Sequence, residues 1–344
     1  MRAALFSPYL DTLGGGERYL LGFARSLLDL GYEVDINWSD KSILSKLQDR
    51  FGFNLEGINI VDNIKRGWGY DLCFWLSDGS VPFLFGKRNF LHFQVPFSGV
   101  GGSNLLNKIK FIKIEKVIVN SLFTKRFVDK EYEIDSTVVY PPVDVDRFKP
   151  REKKENIILS VGRFSQLKQA KNQHILAETF AQMVRDGLRG WKLVLAGGSE
   201  VGSSDYLKQI RKISSGYPIE IWESPSFESL VDLYGKSSIF WSASGYGIDD
   251  EKQPERVEHF GIVVVEAMAS GCVPLVYNAG GHREIVKNKR NGFLWRKTEE
   301  LKDLTLFLIN NKEKLKNFAA VSIKQSKDFS YESFSSKIKD LLGK

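Results

Sequence analysis

Two carboxylates, Glu258 and Glu266, stand eight residues apart in the string EHFGIVVVEAMASGCVPLV, residues 258–276. Between them lie Phe260, Gly261 and an apolar run. Ala267, Ala269 and Gly271 are small enough to let a helix press closely on a sheet. The pattern predicts Glu258 in the loop before a helix and Glu266 two turns along it. A helix beginning near Gly261 offers unpaired N–H groups and the positive end of its dipole to an anionic ligand. Glu266 can then accept two ribose hydroxyl protons, the task a carboxylate performs in dinucleotide-binding folds. The spacing alone is also what an ordinary amphipathic helix with a solvated glutamate at each end would show. The whole string, followed by a strand and then Gly280-Gly281, favours a binding site. A second cluster, Gly14, Gly15 and Gly16, lies between an apolar run and a helix, where backbone can approach phosphate or sugar closely. It is not a G-x-G-x-x-G motif, because Glu17 and Arg18 follow at once.

Such residues need strand-to-helix turns to present them, and the chain supplies these repeatedly. AALFSPY is a short apolar strand, followed by the glycine loop and a helix with apolar residues at Tyr19, Leu20, Phe23, Leu27 and Leu30. Gly31 stands where a helix would be capped. Further short apolar runs occur at 71–76, 90–93, 116–120 and 137–140. Two prolines and a charged run from Lys149 to Glu155 then change the texture, and the boundary between two domains is placed at 149/150. The second half repeats the alternation, with strands at 157–161, 191–196, 219–222, 239–242 and 273–277. Its helices are expected at 173–185, 206–214, 227–235, 261–270 and 283–286. Alternation of this kind implies two doubly wound parallel sheets of Rossmann type, binding ligands at the carboxyl ends of their strands. A pair of them would enclose a deep cleft.

Composition narrows the function classes. The 344 residues suit two domains, and 42% hydrophobic with 26% charged residues is ordinary for a globular protein. The most apolar stretch, 260–277, carries Glu266, which argues against a membrane span, and the N-terminus reads as a first strand rather than a signal peptide. Cys73 and Cys272 lie in apolar contexts far apart, as buried free thiols of a reducing, cytoplasmic protein would. The net charge of +7 suits a polyanionic ligand or an anionic membrane surface. Nucleic acid is disfavoured, because no zinc-finger, RNA-recognition or basic-zipper pattern accompanies the charge.

The 258–276 string resembles the E-x7-E signature of the family 4 retaining glycosyltransferases, above all the mannosyltransferases of lipid-linked oligosaccharide assembly. The resemblance extends to GGGERYLLGFARSL, LHFQVPFS, VNSLFTKRF, YPPVDVDRF, SVGRF and NAGGHREIV, in that order. It implies a GT-B fold: an acceptor-binding domain over 1–149 and a nucleotide-sugar domain over 150–325, facing each other across a cleft. A last helix over 326–344 would cross back to the first domain.

Residue by residue, the resemblance implies that Gly162 and Arg163 meet the donor diphosphate, the arginine with a fork of donors suited to paired phosphate oxygens. A lysine a few residues later assists. Spacing from Arg163 points to Lys168, whereas the register of the following helix points to Lys171, which is preferred. Gly15 and Gly16 would lie against donor phosphate and acceptor, and His92 would face the donor sugar. Glu258 would bind sugar hydroxyls and brace oxocarbenium charge. Backbone N–H groups of Phe260, Gly261 and Ile262 would touch sugar or phosphate, Gly280 and Gly281 would complete that loop, and the base would stack near Ser224 and Pro225. His259 and His282 are given no chemistry, and His174 is read as helix surface.

The implied activity is metal-independent transfer with retention of configuration, with no cofactor. The donor would be a nucleotide sugar, GDP-mannose ahead of UDP- or ADP-sugars, and the acceptor a glycan or a lipid-linked molecule. A nucleotide-sugar-binding module without catalysis and an epimerase on the same fold are the alternatives. Asp144-Val145-Asp146 has the spacing of a metal-binding D-x-D, but its place after two prolines suits a linker. Residues 104–126 hold six Lys and Arg residues against Glu115 alone. That stretch fits either a peripheral contact with anionic membrane or a solvated helix face.

Overall fold

The chain's alternation of short apolar runs and amphipathic stretches produces two parallel sheets. The computed structural model describes residues 1–12, 14–166, 169–199 and 204–344. In the first sheet, β1 (Arg2–Phe6) leads through α1 (Gly15–Asp29) to β2 (Glu33–Asn37), and α2 (Ile43–Phe51) leads to β3 (Ile58–Val61). The chain then crosses to β4 (Leu72–Leu76) and β5 (Arg88–Phe93), and through α3 (Leu105–Phe111) to β6 (Lys116–Val119). α4 (Leu122–Tyr132) and the two-residue β7 (Thr137–Val138) complete it. The order is β3-β2-β1-β4-β5-β6-β7, every pair parallel.

The second sheet repeats the winding. β8 (Ile157–Val161), α5 (Gln173–Arg185), β9 (Lys192–Gly197), α6 (Ser204–Ser214) and β10 (Ile219–Glu223) form one half. α7 (Phe227–Lys236), β11 (Ile239–Ser242), α8 (Ile262–Ala269), β12 (Val273–Tyr277), α9 (His282–Ile285) and β13 (Phe293–Trp295) form the other. The order is β10-β9-β8-β11-β12-β13. Helices α10 (Thr298–Asn310) and α11 (Lys312–Ser326) pack on this sheet through Leu301, Leu308, Leu315 and Phe318. In both sheets the order reverses beside the first strand, between β1 and β4 and between β8 and β11. Those carboxyl ends are the switch points where doubly wound sheets bind ligands.

Two units result, Met1–Pro142 with Tyr331–Lys344, and Val143–Ser330. The boundary falls seven residues before the position inferred from composition, because Val143 already pairs in the second unit, its N–H donating to Phe329 O at 2.9 Å. The final helix α12 (Tyr331–Leu342) belongs to the first unit, where Phe334, Ile338 and Leu342 join the core formed by Tyr19, Phe23, Leu27 and Phe74. In α1, Tyr19, Leu20, Phe23 and Leu27 are buried, and Gly31 adopts φ +78°, which lets the chain leave the helix. Helix α9 begins one residue earlier than the pattern suggests. The expected strand at 137–140 shortens to two residues before Pro141-Pro142, which cannot donate to a ladder. Cys73 and Cys272 are both buried free thiols.

Candidate functional site

The second unit brings its chemistry to the carboxyl ends of β8 and β11. After β8, the Gly162 N–H donates to Ala196 O and the Phe164 N–H to Gly198 O, each at 2.9 Å, so the Gly162-Arg163 turn is stitched to the end of β9. The first side chain of α5 holds the turn from the other side. Gln173 donates to the carbonyls of Gly162 (3.1 Å) and Arg163 (3.0 Å) and accepts from the Tyr206 hydroxyl (3.0 Å). Arg163 itself is exposed at the rim. Space is tight here: a Cβ on Gly162 would lie 2.7 Å from Lys171 Cγ, and one on Gly197 would lie 2.0 Å from Gly162 O. Gly197→Ala is therefore expected to force the turn out of place. It should cost about 1–3 kcal/mol in denaturant unfolding and weaken nucleotide binding in the same titration series. Unchanged stability and binding would show that the turn is free to move.

Lys171 and Glu258 meet in this region. Lys171 Nζ lies 2.6 Å from Glu258 Oε2, with the side chains 17% and 14% exposed. Burial would raise the Glu258 carboxyl, but the positive charge of Lys171 first, then of His282 and His259, outweighs it and brings the group down to about 2. A carboxyl held below its ordinary value lends stability that is complete above the ordinary carboxylate range and is lost as pH falls toward 2. The gap in melting temperature between wild type and Glu258→Gln should accordingly narrow from about pH 5 to about pH 3. A gap independent of pH would mean that the pair is not formed in solution. Of the two lysines considered from sequence, Lys171 is the one placed here; Lys168 lies outside the described residues.

The loop after Glu258 folds against the loop after β12. The Gly281 N–H donates to Glu258 O at 2.7 Å, and a Cβ on Gly280 would stand 2.2 Å from that same oxygen. Gly280 also has φ +54°, which glycine adopts at no steric cost, but it is the close approach that excludes any larger residue. Asp250, a buried carboxylate that sequence reasoning passed over, fixes this turn. Its Oδ2 accepts from the Gly280 N–H (2.9 Å) and from Arg283 Nη1 (2.8 Å). Gly261 precedes α8 with φ +115°, turning the chain so that the helix starts at Ile262 with its first N–H groups at this end of the sheet. Phe260 is buried, its ring 5.4 Å from that of Phe329. Glu266 is buried one and a half turns along, where the Tyr234 hydroxyl donates to its Oε2 at 3.2 Å. Ser224 is exposed at the end of β10 with φ +47°, its N–H donating to Gly197 O at 2.8 Å.

Three histidines belong to this unit. His282 is buried, with Nδ1 2.8 Å from Tyr277 O and Nε2 3.4 Å from Ser242 Oγ, and burial lowers its pKa despite the nearby Glu258 charge. His259 packs against the Gln169 amide at 2.8 Å. His174, read as surface, is half-buried against the Tyr206 hydroxyl at 3.1 Å.

In the first unit the glycine loop opens α1. Glu17 Oε2 accepts from the Gly14 N–H and the Thr12 hydroxyl, both at 2.8 Å, which fixes the helix entry. Gly15 is the first residue of α1. A Cβ on Gly16 would lie 2.3 Å from the Gln94 side chain, so only glycine lets that amide approach. His92, expected to face a sugar, is instead fully enclosed. Strand alternation puts it on the same face of β5 as Phe90, and its ring stacks on Tyr19 at 3.9 Å. Burial drives the imidazole down to about 3, so it is neutral. Asp144, of the D-x-D spacing, accepts from the Arg147 N–H in a local turn. Among the described residues no three or more His, Cys, Asp or Glu side chains converge as a metal-binding group would.

Known proteins resemble this chain in sequence and in fold. Residues 143–325 match the family described as Glycosyl transferases group 1. A GDP-Man:Man(3)GlcNAc(2)-PP-Dol alpha-1,2-mannosyltransferase from Dictyostelium discoideum is 28% identical, over 96% of this chain and 82% of that protein. The protein of the same name from Xenopus laevis is 27% identical over 52% of this chain, and the match spans 38% of its length. The crystal structure of Anabaena HepE in complex with UDP superposes with a TM-score of 0.78 at 18% identity, covering 100% of both chains. The fold is thus GT-B, two Rossmann-like α/β units in tandem. With the family match spanning more than half of its residues, the chain belongs to the group 1 glycosyl transferases.

Proposed function

We propose that this glycosyltransferase moves a sugar from a nucleotide-sugar donor to a glycan or lipid-linked acceptor, retaining anomeric configuration and using no metal ion. The observation that carries the reading is the Lys171–Glu258 pair, 2.6 Å apart at the end of the second sheet, between the Gly162-Arg163 turn and the Gly280-Gly281 turn. The pair holds the lysine in one rotamer, so the ammonium is already in place when a diphosphate arrives. Lys171 then bridges Glu258 and the departing phosphate, with Arg163 and the first N–H groups of α8 sharing the charge. Glu258, ionised at any physiological pH, contacts sugar hydroxyls and opposes the positive charge that develops at the anomeric carbon. The acceptor hydroxyl enters on the face the leaving group vacates and passes its proton to the departing phosphate. Glu266, oriented by Tyr234, takes the ribose hydroxyls, and the base lies toward Ser224.

His92 serves here as a neutral floor beneath the first turns of α1 rather than as a group that touches sugar. GDP-mannose is the favoured donor, on the activity that names the Dictyostelium and Xenopus relatives. The structural likeness to a UDP complex is at 18% identity and carries less weight for the base. The test is transfer or slow hydrolysis of GDP-mannose in EDTA, with proton NMR of the first sugar product. An α anomer formed without divalent ion is expected. A β product, or activity that requires added Mn²⁺ or Mg²⁺, would overturn the mechanism.

A further inference from the structure

We infer that α3 and the glycine-rich segment before it form a docking surface for an anionic lipid bilayer. Helix α3 has no buried residue. Leu105, Ile109 and Ile112 fall at i, i+4 and i+7, the spacing of one helical face, and with Leu106 and Val100 they are between 47% and 79% exposed. The helix does not need these side chains for its own attachment. Phe111 and Ile114 pack it onto the sheet, the Phe111 ring 6.1 Å from that of Tyr132. The apolar face is therefore a second face, left open.

That face is built rather than loose. The Glu131 carboxylate accepts from the backbone N–H groups of Gly99 (2.7 Å), Val100 (2.9 Å) and Gly102 (2.9 Å). Asn104 caps α3 by accepting from the Asn107 N–H at 2.9 Å. Gly102 lies so close to the Tyr132 ring that a Cβ there would stand 2.6 Å from it. A surface ordered in advance loses little entropy on docking.

Charge decides the occupant. Lys110 on α3 and Lys113 just beyond it flank the apolar face, while Lys108 is paired with Glu133 at 2.7 Å. Of the other charges of this stretch, Glu115 pairs with Arg88, and Lys125 with Asp129 and Asp135. A second copy of the chain, joined about a twofold axis, would set lysines against lysines. A bilayer with anionic headgroups accepts both parts at once, the lysines at the phosphates and the leucine and isoleucine side chains at the acyl boundary.

This surface goes beyond the transfer reaction, and its test reads it whether or not the donor reading stands. The full chain is sedimented with phosphatidylcholine vesicles, and with vesicles containing about one third phosphatidylglycerol. Binding to the anionic vesicles alone at moderate salt is expected. Lys110→Ser/Lys113→Ser should weaken partitioning by about fivefold per lysine. Leu105→Glu/Ile112→Glu should abolish it, with melting temperature and nucleotide affinity unchanged in both variants. Equal binding to both vesicle types or to neither would overturn the proposal, as would full binding by the Leu105→Glu/Ile112→Glu variant. A dimer in light scattering that this variant dissolves, without vesicle binding by the wild type, would assign the surface to a second copy instead.

Discussion

Replacing Lys171 with alanine is expected to lower kcat for sugar transfer by about 10²–10³-fold, the loss seen when one preorganised donor to developing negative charge is removed. The effect should fall on kcat more than on KM, because the charge on the departing diphosphate grows as the glycosidic bond breaks. Removing the lysine also leaves Glu258 without its partner 2.6 Å away, so the variant should melt earlier than wild type. Lys171→Arg separates the two effects: it keeps the charge and most of the stability, but its planar fork cannot occupy the site of a compact ammonium. It should recover stability more fully than rate. A loss carried by Lys168→Ala instead, with Lys171→Ala near wild-type activity, would move the diphosphate lysine to the other candidate.

The second large effect is on binding. Glu266→Ala is expected to raise the Kd for the nucleotide by about 10–100-fold, since a carboxylate's hydrogen bonds to ligand hydroxyls contribute about 1.5–3 kcal/mol. Inorganic pyrophosphate should bind the variant and the wild type alike, because it has no ribose. The Tyr234 hydroxyl keeps a partner in Val263 O at 3.3 Å, so the fold should survive. Calorimetric titration reads both ligands on one sample. Equal weakening toward nucleotide and pyrophosphate would place Glu266 in general packing rather than at the ribose.

Much of this architecture is legible in the chain. The alternation of short apolar runs with amphipathic stretches fixes parallel winding, because each strand buried on both faces must be covered by a helix before the next begins. The glycines at 261, 280 and 281 mark where backbone packs on backbone or turns through positive φ, where a Cβ would clash or be strained. Lys171 is preferred to Lys168 because helix register is less elastic than loop length; its Nζ lies against Glu258, whereas Lys168 lies outside the described residues.

His92 shows where motif reasoning outran geometry. Phe90 lies two residues before it on the same strand face, and a period of two already puts both in the core. Asp250 and Gln173 were not legible, since each acts on backbone N–H or C=O groups brought near only by the folded sheet. The adjacent pair Asp249-Asp250 in an otherwise polar loop is the only signal, and it does not name a partner. The exposed face of α3 was half legible: lysine spacing and interleaved apolar residues were plain, but which apolar side chains the sheet would claim was not.

The most direct test is a thermal-shift titration of the intact chain with GDP, UDP and ADP and their sugars, in EDTA and again with added Mg²⁺. A ligand that binds only the folded state raises the melting temperature by mass action. A metal-free diphosphate site in the second unit predicts a shift with one nucleotide family, GDP expected, equal in EDTA and Mg²⁺ and lost in Glu266→Ala. No shift with any nucleotide, or a shift that appears only with Mg²⁺, would contradict it.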